Sequence, residues 1–180
     1  MSELSGWENF YVIVGTSAGA LIGLTFVAVT LTREAQVRGA GQGIPAYNTP
    51  TIVHFGVVLF VSALLSAPWP DLVPPALFLG LCGLLGVTYT LIITRRLRRF
   101  DNYAPVLEDW LANVAAPLIS YAALVVSAAL LPSHPEPALF VIAGALLLLI
   151  FDGIHNAWDV ATYIVVAQGL RTGKRDETTA

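Results

Sequence analysis

The sequence predicts an all-α integral membrane protein, a bundle of five transmembrane helices with its N-terminus outside and its C-terminus in the cytoplasm. Three observations carry that prediction. Of 180 residues, 56% are hydrophobic and 12% charged, about half the charged share of a soluble domain, and the mean hydropathy is +0.73. Five apolar runs approach the ~20 residues that a helix needs to cross hydrocarbon. All nine Lys and Arg residues then fall on one side of the bundle those runs define.

The first run, roughly 10–32, follows "MSELSGWENF", which holds no Lys or Arg. The positive region of a cleavable signal peptide is therefore missing, and this helix is expected to stay in the mature protein. Its "GTSAGALIG" sets Gly15, Gly19 and Gly23 in G-x-x-x-G register, which predicts a groove where another helix approaches closely, within the chain or across a subunit boundary. The turn formers of "GAGQGIPAYNTP" close the segment. The second run, roughly 51–69, starts after Pro50, carries His54, and stops in "APWPDLVPP". The third, roughly 74–94, holds Gly80, Gly83 and Gly86 at a spacing of three, a weaker form of the glycine signal, and the lone Cys82. One cysteine forms no internal disulfide and completes no thiolate metal site. Arg95, Arg96, Arg98 and Arg99 end this run. They are read as a topology anchor, with anionic lipid head groups as the other reading. The fourth run, roughly 110–131, has Asn113 near its start, and "PSHPEP" separates it from the fifth, roughly 138–160 or longer. Residues 1–170 make a single transmembrane domain and 171–180 a polar cytoplasmic tail.

Orientation follows from the cations. Arg33 and Arg38, the four arginines at 95–99, and Arg171, Lys174 and Arg175 share one side, whereas the N-terminal tail and the loops at 68–75 and 132–137 have none. Positive residues stay in the cytoplasm. Trp7 and Trp69 then fall at the outer boundary, and Trp110 and Trp158 at the inner one, where indoles concentrate. A net charge of −3 leaves no basic surface for nucleic acid.

The last run contains the sequence's main anomaly, "FDGIHNAWD". At about 100° per residue, Asp152, His155, Asn156 and Asp159 fall on one helical face, continued by Thr162 and Tyr163. Ala138 to Arg171 is 34 residues, about 50 Å of helix against a ~30 Å core, so the helix tilts, bends at Gly153 or leaves the membrane. In each case Asp152 and His155 lie in or beside hydrocarbon, where an unpaired charge costs at least about 2.5 kcal/mol. They must face protein, water or an ion. His54, Asn113, Thr25 and Thr30 occupy the same leaflet, which predicts a polar cavity in the cytoplasmic half lined by His54, Asn113, Asp152, His155, Asn156 and Asp159.

The stripe is open to three readings: a structural polar network, a proton or cation site, or a docking face. No cofactor is required. The sharper alternatives are a divalent metal on His54, His155 and Asp159 or a b-type haem between His54 and His155. No ATP-binding loop, K⁺-filter string or H-E-x-x-H motif occurs, and no nucleophile and base stand at a recognisable spacing, so an enzyme is the weaker expectation. The expected function is an oligomeric membrane protein that conducts or transports a proton or small cation. The alternative is a non-catalytic accessory protein whose stripe and glycine groove bind a partner helix, with a haem or metal redox protein third.

"WENFYVIVGTSAGALIGLTFVAV" and "GIHNAWD" resemble the first and last helices of a group of small bacterial inner-membrane proteins to which no activity is attached. The resemblance implies a bacterial plasma-membrane location and transfers no functional residue.

Overall fold

Proline and the short loop segments decide where the helices begin and end. The computed structural model of the chain describes residues 4–37, 48–97 and 114–178, and within them the side chains of 4–30, 50–95, 114–158 and Thr162. After a single 3₁₀ turn at Ser5–Trp7, the described residues form five helices and no strand: α1 (Glu8–Val37), α2 (Asn48–Ser66), α3 (Val73–Leu97), α4 (Ala116–Leu130) and α5 (Pro135–Thr178). The second helix stops at Ser66, short of the predicted 69, because Pro68 disfavours helical backbone in the residue before it. Trp69 then folds back, its Nε1 donating to the Leu64 carbonyl at 2.6 Å and its backbone N–H to that of Ala67 at 2.9 Å. The Leu64 carbonyl, near the helix end where intrahelical donors run out, thus accepts the indole N–H as well as the longer 3.4 Å bond from the Ala67 N–H. Asp71 Oδ1 accepts the Val73 N–H at 2.9 Å at the start of α3, and Pro74 and Pro75 occupy its first turn, where a missing N–H costs nothing. The last helix starts three residues earlier than predicted for the same reason, with Pro135 and Pro137 in its first turn.

Among the described residues, three stretches are long and apolar enough to cross a membrane: Ser5–Thr30, Val73–Arg95 and Pro135–Trp158; Pro50–Ser66 and Ala116–Leu130 are shorter apolar helices. Their outward faces are greasy, with Ile13, Phe26, Leu77, Leu85, Phe140 and Phe151 all exposed, a surface that suits acyl chains and not water. Six Ser and Thr hydroxyls on these helices are satisfied within their own helix: Ser17, Thr25, Thr30, Thr88, Thr90 and Thr94 each donate to the carbonyl four residues earlier at 2.8–2.9 Å.

The helices pack in the lateral order α1, α2, α5, α4, α3, with further contact of α1 to α5 and of α2 to α3. Trp7 stacks edge-on against Phe140 at 4.7 Å, so α1 and α5 start at the same end, whereas Gly15, early in α1, meets Ser62, late in α2. Helices α2 and α5 are therefore antiparallel. The last helix is central: 56% of its most apolar stretch is buried, against 22% in α1 and 28% in α3.

Glycine sets the tightest seam. A Cβ on Gly80 would lie 3.3 Å from Ala128, one on Gly83 2.8 Å from Val125 and 3.0 Å from the Tyr121 carbonyl, and one on Gly86 would overlap the Tyr121 ring. Along α1 only Gly15 is closed in this way, its Cβ position 2.9 Å from Ser62 Cβ, and nothing lies within 4 Å of the positions over Gly19 and Gly23. Substituting Gly86 by Val should lower unfolding stability by about 1–3 kcal/mol through overpacking. Gly23→Ala should be neutral, or stabilising by up to ~1 kcal/mol through helix propensity. Denaturation in mixed micelles of lipid and SDS measures both.

Candidate functional site

Two helices supply the core of the site and a third completes it. On α2, His54 sits four residues inside Pro50 and is 3% exposed; on α5, Asp152 is 5% exposed; on α4, Tyr121 is fully buried. His54 Nδ1 lies 2.8 Å from the Tyr121 hydroxyl, and Nε2 lies 3.5 Å from Asp152 Oδ2. The second distance is an ion-pair approach, too long for a short hydrogen bond. Asn156, one turn further along α5, donates from Nδ2 to the same Oδ2 at 3.5 Å. The other carboxylate oxygen, Oδ1, is buried without a partner.

Helical spacing explains the placement. His54 and Phe55 are adjacent on α2, Asp152 and Gly153 on α5, and the two pairs meet: while His54 faces Asp152, the Phe55 ring lies 2.5 Å from where a Gly153 Cβ would be. Glycine at 153 thus lets α5 close on α2 until imidazole and carboxyl meet, and glycine at 86 makes room for the Tyr121 ring. Buried Thr90 and Thr94 of α3 and Ser120 of α4 lie towards the same arginine-bearing end.

The proton positions follow from the donors available. With Nε2–H directed at Asp152, Nδ1 is an acceptor and the Tyr121 hydroxyl donates to it. With a second proton on His54, Nδ1–H donates and the hydroxyl turns its own hydrogen elsewhere. The Tyr121–His54–Asp152 chain can therefore hold one proton more or fewer while its heavy atoms stay in place. An ionised Asp152 beside a neutral His54 carries a net −1 in a buried setting, which is costly without a counter-charge. One proton shared by the pair removes it. Other titratable side chains near this chain are Tyr89 and Cys82 of α3, within electrostatic reach of Tyr121, and half-buried His155 of α5.

Of the residues expected to line the cavity, His54, Asp152 and Asn156 come together. His155 is half-buried three residues from Asp152, and Thr162 is exposed, its hydroxyl bonded to the Trp158 carbonyl at 3.1 Å. Asn113 and the side chains of Asp159, Arg96, Arg98 and Arg99 lie outside the described residues; Arg95 is exposed at the end of α3. Tyr121 is not among the expected residues, because "LISYAALVV" reads as part of an apolar span with no charged residue. Among the described residues no three His, Cys, Asp or Glu are grouped to hold a metal ion. His54 turns one ring nitrogen towards Tyr121 and the other towards Asp152.

Comparison with protein families, curated proteins and solved structures finds no match to this chain.

The 2.8 Å contact makes Tyr121→Phe informative. Loss of a net hydrogen bond should cost about 0.5–1.5 kcal/mol in unfolding stability, and the ¹⁵N resonance of His54 Nδ1 should shift while that of His134 does not.

Proposed function

We propose that the chain is a five-span protein of the bacterial inner membrane, N-terminus outside, that binds a proton at the Tyr121–His54–Asp152 chain and transports it, or a small cation, through the cytoplasmic half of an oligomeric bundle. The observation behind this reading is the meeting of three titratable side chains from three helices with a buried carboxylate oxygen left over. A polar network that only holds helices together is complete when donors and acceptors match, each interhelical bond contributing about 0.6 kcal/mol. Here an acceptor remains, and it belongs to the group that carries charge. The distribution of all nine Lys and Arg residues supports the orientation, which places Asp152 towards the cytoplasm.

In this mechanism a proton arriving from the cytoplasmic side is taken up on Asp152. His54 passes it along by gaining a proton on one nitrogen and releasing it from the other, and Tyr121 is the far hydrogen-bonding partner. Assembly into an oligomer is supported by α1, whose outer face is exposed and whose Gly19 and Gly23 have open space above them.

That open glycine face also favours the second reading, a non-catalytic accessory protein that binds a partner helix along α1. Co-purification of a specific membrane protein, lost in Gly19→Leu while folding is retained, would support it over transport.

Proton uptake into proteoliposomes, driven by a K⁺ diffusion potential and followed with a lumenal pH dye, separates the two. Asp152→Asn and His54→Gln should each slow uptake at least about tenfold, and Tyr121→Phe by less, since its hydroxyl positions the imidazole. Wild-type and variant vesicles that leak protons no faster than protein-free ones would overturn the transport reading.

A further inference from the structure

Another buried oxygen without a partner belongs to α2, on the residue one turn before His54. Thr51 Oγ1, on a residue with no exposed surface, has no hydrogen-bond partner, like Asp152 Oδ1. On α2, His54 and Phe55 both point at α5, where they meet Asp152 and Gly153. At 100° per residue, Thr51 projects about 60° from His54 in the direction of Phe55, between two positions that face α5. Asn156 projects about 40° from Asp152 in the direction of Gly153, between two that face α2. Because the helices are antiparallel, Thr51 and Asn156 move to the same level, about 4.5–6 Å from the His54–Asp152 pair towards the arginine-bearing end. Helical geometry thus turns both residues into the α2–α5 seam at one level.

The chemistry of the three groups is one-sided. Asn156 commits Nδ2 to Asp152 Oδ2, which leaves its carbonyl oxygen as an acceptor. Asp152 Oδ1 accepts only, and the Thr51 hydroxyl oxygen can accept. Such a set favours a hard cation over an anion. Charge selects among cations: ionised Asp152 beside neutral His54 is one positive charge short of neutrality, which a monovalent ion supplies and a divalent ion overshoots.

We propose that Thr51 Oγ1, Asp152 Oδ1 and the Asn156 carbonyl oxygen form a binding site for one monovalent metal cation of Na⁺ size, which competes with the proton on Asp152. Water from the arginine-bearing end completes the coordination. The proposal rests on Asp152 being the ion-binding carboxylate of the transport reading, and it names a second occupant for that carboxylate.

Binding of ²²Na⁺ to the purified full-length protein in nanodiscs tests it, with folding of each variant checked by circular dichroism. The expected result is saturable binding that weakens as pH falls, is lost in Asp152→Asn, drops about tenfold or more in Thr51→Val, the loss of roughly one ligand's contribution, and survives in Thr51→Ser. Absence of saturable binding in the wild type, or equal binding in Thr51→Val, overturns the cation site. Proton uptake measured in choline buffers without Na⁺ keeps the two ideas apart: Asp152-dependent uptake without ²²Na⁺ binding leaves the site for protons only, and ²²Na⁺ binding without proton uptake leaves the cation site standing while the proton reading fails.

Discussion

His54 and Asp152 meet between α2 and α5, and the remaining helices are arranged so that this meeting can persist in an apolar bundle. A carboxyl group and an imidazole in such surroundings must be screened from acyl chains on every side and given partners. The screening comes from α5 taking the central position, with α1, α2 and α4 all against it. The partners come from α4, through the Tyr121 hydroxyl, and from the next turn of α5, through Asn156. Glycine appears where side chains would hold these helices apart, at 86 beneath the Tyr121 ring and at 153 beneath Phe55.

Much of this was legible in the sequence because it depends on spacing within single helices. The period of 3.6 put Asp152 and Asn156 on one face before any packing was known, and depth from Pro50 put His54 at a matching level. What could not be read is which helix meets which. Tyr121 lies 67 residues from His54 inside an apolar run, and its role is set by the order α2, α5, α4, which neither hydropathy nor charge specifies. Thr51 was hidden for the same reason, since a threonine near a helix start is ordinary until its neighbours are known to face a carboxylate.

The glycines repeat the lesson at the level of packing. The regular four-residue register of Gly15, Gly19 and Gly23 is the stronger sequence signal, yet only Gly15 is closed against another helix of the chain, while the three-residue series Gly80, Gly83 and Gly86 lines the tight α3–α4 seam. A three-residue row is inclined to the helix axis, and the α4 residues it meets, Ala128, Val125 and Tyr121, descend in step with it. Whether a glycine row is occupied depends on the partner's own row of side chains, which lies elsewhere in the sequence. The tryptophans carry a similar ambiguity: Trp69 stands at a helix end as an interfacial residue should, but its indole N–H is already committed to the Leu64 carbonyl.

The two short apolar helices, Pro50–Ser66 and Ala116–Leu130, are the ones that supply His54 and Tyr121. Each of the two site residues stands four positions after a proline, His54 after Pro50 and Tyr121 after Pro117. A proline ring fixes φ near the helical value, so it stiffens the turn on which the imidazole or the phenol is carried. The aim of both side chains is therefore set by backbone rigidity one turn away, and loosening either ring would blur a contact it never touches.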